Sequence, residues 1–489
     1  MTGDWMPARR GILVGVGLLL LTTGVYYPGL DVRMVADDFR IVERSTFDDA
    51  FRSLRETVGY DRNEYRPLVA FSFALSNALW RGDPRGYHLE SISLHALNVV
   101  LLFSWLLLLT RSTTISGVAA VLFAVHPINH ARVVWIAARD SLLSTLFMLM
   151  ALIAYTLARR RNDHAYVKTP GAAIALIILS LGFFILSLVS YEGAVILPGI
   201  LAGLEFFLFA RPVRGVWGKL RTAAVKTLPH TIALCIYLAW WMLLFHGRVG
   251  QDYLSYGVGN LLRNYYSLLY QLFHGNEHLA GFLYFILVLL GLLLPRERRL
   301  VVWFSLLFML LAFLPFVIVT GFASRFAYAS AIGYASLVAL LLSACTFQRR
   351  TGSIPTLRFI PLPLAAVIFF ALAANYTIDL RARISEWKIA GEIADGIPRQ
   401  IKACHPDLPD GSTLVLARIP RMYGHAYVYP LGLKSSIERF YPGRNLQVFY
   451  GPGEMNEITE GRNIESRETI FFKYVPDQRG IEEVIASQR

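Results

Sequence analysis

The chain has 489 residues, of which 55% are hydrophobic and 17% are charged, and its mean hydropathy is +0.47. This composition excludes a water-soluble globular protein of this size. The formal net charge of +13 could indicate a nucleic-acid partner, but basic residues in a membrane protein usually report its orientation. We therefore predict an integral membrane protein whose partners include membrane lipid and no nucleic acid.

Long apolar runs recur along the chain, each close to the roughly 20 residues that cross a bilayer core as a helix. Helices are the expected form, because unpaired backbone groups are too costly in lipid. Eleven transmembrane helices are predicted, and their runs begin near Gly11, His88, Ile115, Ser141, Gly171, Ala194, Thr227, Leu279, Val301, Ala329 and Phe359.

The loops between these runs predict the orientation. If the N-terminus is cytoplasmic, arginine and lysine gather in the inside segments, whose acidic residues are Asp163, Glu297 and Asp4 of the N-terminal tail. Eleven crossings then place the C-terminus in the periplasm or an equivalent lumen, and a bacterial inner membrane is the expected location. The first run is interpreted as an uncleaved helix, since no clear small-x-small cleavage site follows it.

The chain is predicted to divide into a transmembrane domain, residues 1–375, and a small soluble α/β domain, residues 376–489, on the outer side. The transmembrane domain includes an outer loop at residues 28–87, in which the apolar stretch 68–80 is too short to span and predicts an interfacial or re-entrant helix. Residues 246–278 could form another interfacial helix. In the α/β domain the pattern predicts one helix and three strands, at 386–404, 413–419, 446–450 and 469–474.

An acidic pair, Asp37-Asp38, follows the first predicted span by about ten residues. Two adjacent carboxylates near a membrane surface could serve as a general base, because like charges raise the pKa of one of them. A solvated loop or a helix cap explains an acidic pair equally simply. Both interpretations stay open on spacing alone.

Polar residues also gather at the second and third predicted spans. Arg66 and His88 precede or begin the second span, and His95 shares a helix face with Asn98 inside it, facing either a cavity or a neighbouring helix. The next hairpin carries His126, Arg139 and Asp140, where arginine could grip a phosphate. A divalent metal is not favoured, because no HExxH pattern accompanies the His126 and His130 pair and Pro127 breaks the helix that such a pair needs.

Glu192 and Arg325 lie at the ends of two further spans. In the predicted topology they share the outer membrane boundary with Asp37, His126 and Arg139. This convergence is the main reason, from the residues alone, to expect a site there.

These segments resemble, in their order, the membrane part of glycosyltransferases of the C superfold. The resemblance is strongest to the transmembrane-and-tetratricopeptide O-mannosyltransferase family and its bacterial relatives, over roughly residues 30 to 390. The residues that carry it are Asp37-Asp38; Tyr65-Arg66-Pro67-Leu68; Gly86-Tyr87-His88-Leu89 with His95 and Asn98; Phe123-Ala124-Val125-His126-Pro127 with Trp135 and Arg139-Asp140; Glu192-Gly193; Arg325 with Tyr328; and Arg383 with Trp387.

The chain departs from that family at three points. The family usually has an acidic residue near the position of Arg132 and a lysine in place of Tyr191, and its tetratricopeptide tail is replaced here by the α/β domain. These departures bear mainly on the acceptor.

The resemblance implies an inverting transferase that moves a sugar, with a mannose-like hexose as the first expectation, from a polyprenyl-phosphate donor to an acceptor hydroxyl on a protein or glycan. It implies Asp37 as the base and Asp38 as its acceptor-orienting partner. It implies Arg139 and Arg325 as the phosphate grip, with His126, His88 and Arg66 nearby, and Glu192, Asp140 and His95 as secondary or acceptor residues. No cofactor other than this donor substrate is expected.

Two other functions place similar residues in a membrane. A transporter or flippase of lipid-linked sugars also needs charges in a membrane cavity, but no repeat symmetry between two halves is visible. A polymerase or ligase of polyprenyl-linked glycans also works on the outer face, although such enzymes depend on a large outer loop late in the membrane domain.

Overall fold

The structure is a computed structural model, and it describes residues 5–55, 65–160, 169–210, 213–245, 255–273, 296–346, 361–450 and 469–484. Within these ranges nine helices are long and apolar enough to span a membrane, or ten if the bent pair Thr113–Val125 and Pro127–Val134 forms one span. They coincide with ten of the eleven predicted runs. The run from Leu279 lies outside the described residues. The chain is therefore a polytopic membrane protein, as predicted.

The α-helices are numbered here in chain order over the described residues. They are α1 Trp5–Tyr26, α2 Asp38–Arg44, α3 Phe47–Arg52, α4 Pro67–Trp80, α5 Pro84–Thr110, α6 Thr113–Val125, α7 His130–Val134, α8 Arg139–Arg159, α9 Pro170–Leu188, α10 Leu197–Leu204, α11 Val216–Phe245, α12 Val258–Leu272, α13 Arg296–Phe313, α14 Tyr328–Thr346, α15 Leu362–Cys404 and α16 Leu433–Glu438. Short 3-10 turns connect several of them near the expected outer boundary.

Local sequence signals fix where these helices begin and end. The Asp83 side chain accepts a hydrogen bond from the backbone N–H of Arg85 at the start of α5, and Pro84 occupies its first turn. The Ser112 hydroxyl caps α6 in the same way. At the other end of α6, Pro127 stops the helix and bends the chain by 49°. This bend leaves the His126 hairpin at the end of the span instead of inside it.

Two shorter helices occupy the places predicted for interfacial segments. Helix α4 is apolar and 14 residues long, too short to cross a bilayer. Helix α12 is amphipathic: Asn260 and Asn264 donate side-chain hydrogen bonds to backbone carbonyls of residues 317 and 319, while Leu262 and Tyr266 are exposed. Both are suited to the membrane interface.

The membrane domain joins the C-terminal domain through one uninterrupted helix. Helix α15 has 43 residues, from Leu362 to Cys404, about 65 Å at 1.5 Å per residue. The predicted boundary at residues 375 and 376 therefore falls inside this helix, because the sequence changes from apolar to amphipathic there without a helix-breaking residue. The predicted helix over 386–404 is the second half of α15.

The C-terminal domain contains a mixed four-stranded sheet. Its strands are β1 Thr413–Ala417, β4 Gln447–Phe449, β5 Thr469–Val475 and β6 Gly480–Glu483, in the order β4-β1-β5-β6. The first three correspond to the predicted strands. Strand β1 pairs in parallel with β4 and β5, and β6 is antiparallel to β5. A separate hairpin, β2 Met422–Tyr423 and β3 Ala426–Tyr427, reaches the membrane domain.

Candidate active site

The acidic pair lies in a tight turn just after the first span. We call residues 33–39 the Asp loop. The Asp38 carboxylate accepts hydrogen bonds from the backbone N–H groups of Val35 (3.1 Å) and Ala137 (2.8 Å), and the residue is only 1% exposed. Burial raises the pKa of Asp38 to about 8, although the two backbone donors oppose this shift. Asp38 therefore ties the Asp loop to the turn before α8.

Asp37 occupies the N-cap position of α2 and is partly exposed. It is adjacent to Asp38, and the negative charge of Asp37 contributes to the raised pKa of Asp38. Both Asp38 oxygens accept from backbone donors inside the fold, so Asp37 is the more exposed member of the pair.

Two arginines and two carboxylates form a connected group around the first turn of α8. Arg66 donates to Glu192 (2.6 and 2.9 Å) and to Asp140 (2.6 Å). Arg132, which is 2% exposed, donates to the other Asp140 oxygen (2.5 Å) and to the Tyr191 hydroxyl (2.8 Å). The two positive charges and the two negative charges balance, which is the condition for burying such a group.

Arg132 and Tyr191 are the two positions at which the chain departs from the resembled family, and they contact each other. The Arg132 guanidinium also lies over the Tyr191 ring, 4.9 Å from its centroid, and Arg66 lies over the same ring at 4.8 Å. The two departures therefore lie in one cluster of contacts.

Arg325 lies in the 3-10 turn just before α14 and is partly exposed. Its guanidinium donates to the Tyr427 hydroxyl and lies over the rings of Trp135 (5.7 Å), Phe326 (4.9 Å) and Tyr427 (5.5 Å). Its backbone carbonyl accepts from Arg132 (2.7 Å). Within the part of the chain that the structure describes, Arg325 forms no ion pair with a carboxylate.

Arg139 was expected beside Arg325, but the structure places its side chain elsewhere. The guanidinium is 1% exposed, and it forms a 2.8 Å ion pair with Glu90. It also donates to the Ser76 hydroxyl (2.6 Å) and lies 4.5 Å from the centroid of the Phe73 ring. Arg139 thus joins α4 and α5 to α8, and its charge is already neutralised.

The three predicted histidines are all buried between elements of the membrane domain. His88 Nε2 lies 2.9 Å from the carbonyl oxygen of Val32, which supports the base of the Asp loop. His95 lies 2.7 Å from the Tyr328 hydroxyl and 3.3 Å from a carbonyl of α6, so it connects three helices. The His126 ring accepts from the N–H of Ile128 and lies 3.1 Å from the carbonyl oxygen of residue 272. None of these contacts directs a histidine toward Arg325.

A small cleft with a volume of about 20 Å³ lies beside Arg325. Its walls combine hydroxyl-bearing and apolar side chains with this single arginine. The lining includes Ser141, Ser144, Thr145, Tyr191, Tyr328, Met148, Phe316 and Phe326. The hydroxyls and the guanidinium can form hydrogen bonds with a polar or anionic group, although a cleft of this volume holds about one water molecule.

The structure therefore brings part of the predicted set together. Asp38, Arg66, Asp140, Glu192 and Arg325 are connected through the turn before α8 and through Arg132, with Asp37 at the edge. Sequence reasoning missed Tyr427, which follows Arg325 by about a hundred residues without any motif. Among the described residues, no group of three or more His, Cys, Asp or Glu side chains is arranged to hold a metal ion.

No protein-family model matches the chain. Protein O-mannosyl-transferase TMTC3 of Mus musculus is 33% identical over 145 residues, which are 29% of this chain and 15% of that protein. Protein O-mannosyl-transferase F38B6.6 of Caenorhabditis elegans is 27% identical over 178 residues, 33% of this chain and 26% of that protein. The chain is thus a distant relative of these proteins, and it matches only a small part of their length.

The structural match extends over nearly the whole chain. ArnT from Cupriavidus metallidurans bound to undecaprenyl phosphate superposes with a TM-score of 0.52 at 13% identity, covering 97% of this chain and 94% of ArnT. The apo form of the same protein gives a TM-score of 0.50. The protein therefore has an ArnT-like fold, a polytopic helical membrane domain followed by a small mixed α/β region.

Proposed function

We propose that this protein is a membrane glycosyltransferase that takes a sugar from a polyprenyl-phosphate donor and transfers it to an acceptor hydroxyl. The observation that carries the proposal is Arg325, a cation beside a hydroxyl-lined cleft with no carboxylate partner among the described residues. Arg66, Arg132 and Arg139 are each paired with carboxylates. Of these four arginines, Arg325 is therefore the one whose positive charge is available to attract an anion. The ArnT-like fold and the distant relationship to O-mannosyl-transferases are consistent with this function.

Donor binding is assigned to the surroundings of the cleft, which would have to widen beyond about 20 Å³ to admit a sugar. The phosphate would contact Arg325 and the sugar would face the hydroxyls of Ser141 and Thr145 on α8. The isoprenoid chain would leave between apolar helices toward lipid. Arg66 lies over the ring of Tyr191, which lines the cleft, and its charge is balanced by Asp140 and Glu192. It would therefore hold this wall of the cleft in place.

Asp37 is assigned as the general base. It would take the proton from the acceptor hydroxyl while the acceptor oxygen bonds to the anomeric carbon. The bond from that carbon to the phosphate oxygen breaks, polyprenyl phosphate leaves with its electron pair, and the anomeric configuration inverts. General-base assistance typically contributes about 10² to 10⁴-fold, and a cation at the leaving phosphate adds electrostatic stabilisation.

The finer assignments are also proposals. A mannose-like hexose is the first donor sugar to test, and a protein or a glycan is the acceptor class. Residues 376–489 are proposed to lie on the periplasmic or luminal side, with the N-terminus cytoplasmic in a bacterial inner membrane. The site would then open on the outer face of the membrane, beside the C-terminal domain.

A donor panel tests the proposal. Purified protein would be incubated with polyprenyl phosphates that carry radiolabelled mannose or other hexoses, together with mixed protein and glycan acceptors. We expect label to move to an acceptor and free polyprenyl phosphate to form in equal amount. If no donor in the panel yields acceptor label, but proteoliposomes move lipid-linked sugar across the bilayer, the protein is a flippase.

A further inference from the structure

The C-terminal domain contacts the two sides of the proposed site through one short stretch of chain. We call Tyr427–Gly432 the docking segment. It begins in strand β3 and ends at the residue that precedes α16. Its first residue contacts Arg325, and its last residue contacts the Asp loop.

The contact at the Asp loop is a close approach of two backbones. Gly432 has a φ of +87°, and a Cβ built on it would lie 2.1 Å from the carbonyl oxygen of Ala36 and 3.4 Å from the backbone nitrogen of Asp37. Ala36 itself has a φ of +47°, a left-handed conformation that a residue with a side chain adopts only when its surroundings hold it there. The backbone N–H of Ala36 donates to the carbonyl of Val428 (2.9 Å).

Packing around this contact fixes the docking segment in turn. The rings of Phe39 and Tyr429 stack with their centroids 6.0 Å apart. The Tyr429 hydroxyl is buried within hydrogen-bonding distance of the carbonyl oxygen of Ala394 on α15 (2.5 Å) and of the Ser436 hydroxyl on α16 (2.7 Å). The Asp loop is therefore enclosed between the docking segment and α15.

At the other end, Tyr427 reaches the cation of the site. Its hydroxyl accepts from Arg325, and its ring lies 4.8 Å from the ring of Trp135. Trp135 lies two residues before Ala137, whose N–H holds Asp38. The docking segment thus contacts both halves of the site within six residues.

We propose that the docking segment is a positioning element, and that it holds the Asp loop and Arg325 in the arrangement that transfer requires. The inference rests on the proposed function, because it assigns a role in that reaction to the C-terminal domain. Proximity of a base to its substrate is sensitive to small shifts, and a displacement of about 1 Å can cost roughly 10²-fold in rate.

A matched pair of glycine variants tests this role. Gly411 also has a positive φ, +81°, in the same domain, but a Cβ there meets nothing within 4 Å. Gly411→Ala and Gly432→Ala therefore impose a similar backbone strain, and only Gly432→Ala pushes on the Asp loop. We expect Gly432→Ala to lower kcat by about 10²-fold with donor KM changed less than about threefold, and Gly411→Ala to keep both near the wild-type values.

Hydrogen exchange of a peptide that covers the Asp loop gives a readout that needs no activity. The amide of Ala36 should exchange faster in Gly432→Ala than in Gly411→Ala, since its bond to Val428 is disturbed. A uniform loss of folding would instead lower kcat of both variants in proportion to the inactive fraction. Equal kcat and equal exchange in the two variants would overturn the proposal.

Tyr427→Phe extends the test in case Gly432→Ala does not fold. It removes the hydroxyl that contacts Arg325 and keeps the ring, so donor KM should rise about three- to tenfold while kcat changes little. An unchanged donor KM in this variant would also overturn the positioning role. If wild-type protein transfers no sugar, the proposed function fails. The hydrogen-exchange comparison of Gly432→Ala with Gly411→Ala still tests whether the docking segment holds the Asp loop in place.

Discussion

Arg325→Gln should weaken the binding of polyprenyl phosphate, and Arg139→Gln should not. The difference follows from the partners of the two arginines. Arg325 forms no ion pair with a carboxylate in the described part of the chain and lines the cleft, whereas Arg139 is buried against Glu90. Of these two arginines, only Arg325 therefore has a positive charge available for a phosphate.

The magnitude can be bounded from the geometry. Two unit charges 4 Å apart interact by about 4 kcal/mol at an effective dielectric constant of 20. Arg325 is partly exposed, so water screens part of this energy, and a charged hydrogen bond is worth about 1.5–3 kcal/mol. The Kd should therefore rise about 10- to 150-fold in Arg325→Gln. Arg325→Lys keeps the charge but loses the planar fork, so its loss should be smaller.

Arg139→Gln should act on stability. It leaves Glu90 without its partner, and breaking such a buried pair costs about 3 kcal/mol, at the low end of the usual range because the Glu90 side chain is 26% exposed. Calorimetric titration with polyprenyl phosphate in detergent measures the Kd, and thermal unfolding of the same samples measures stability. Arg263→Gln, on the exposed side of α12, is the control for a general loss of charge. Equal Kd changes in Arg325→Gln and Arg139→Gln would refute this division of roles.

Three further predictions concern stability and topology. Asp140→Asn should destabilise the protein by about 3–5 kcal/mol, because Arg132 stays buried without a carboxylate. Glu192→Gln should cost at most about 1 kcal/mol, because the Glu192 side chain is 49% exposed. Equal losses of stability in thermal unfolding of the two variants would contradict this prediction. Burial raises the pKa of Asp38 from its ordinary value of 3.8 to about 8 in the folded protein. The contribution of Asp38 to the stability of the fold is therefore fully present below about pH 4 and is lost as the pH rises toward 8. Wild type should lose thermal stability over that interval relative to Asp38→Asn, and parallel pH profiles would reject the assignment. A Lys434→Cys reporter, at a side chain 51% exposed, should react with an impermeant reagent in intact cells on a cysteine-free background; labelling only after permeabilisation would reverse the predicted orientation.

The membrane helices could be predicted from the sequence because each one depends on local composition. Ten of the eleven runs coincide with helices or with the bent pair in the structure. Three strands of the C-terminal sheet, β1, β4 and β5, were recognisable from their apolar patterns, whereas β6 and the β2–β3 hairpin were not predicted. The sequence did not predict that α15 continues without a break from the membrane domain into the C-terminal domain. Its hydropathy falls after residue 375, but a helix can pass from lipid into water without a break when its backbone bonds are internal.

The site was predictable only in part. The position of a residue relative to the apolar runs predicts which end of a helix it occupies, but it does not predict which way its side chain points. Arg139 and Arg325 both lie just before an apolar run, yet the Arg139 side chain is buried in an ion pair with Glu90. His95, for which a packing role between helices was the alternative, is hydrogen-bonded between helices. Tyr427 and Gly432 could not be found from the sequence, since their contacts with Arg325 and Ala36 join segments separated by about 100 and 400 residues.

Sugar transfer by Asp37→Asn is the most direct test of the central claim. The substitution keeps the size and hydrogen bonding of the side chain but cannot accept the acceptor proton. Asp48→Asn, at an exposed carboxylate in the same outer loop, is the matched control. With purified, monodisperse protein and a polyprenyl-phosphate hexose donor, we expect Asp37→Asn to lower turnover by about 10²-fold or more and Asp48→Asn to retain wild-type turnover. Turnover near the wild-type rate in Asp37→Asn would contradict the assignment of this residue as the base.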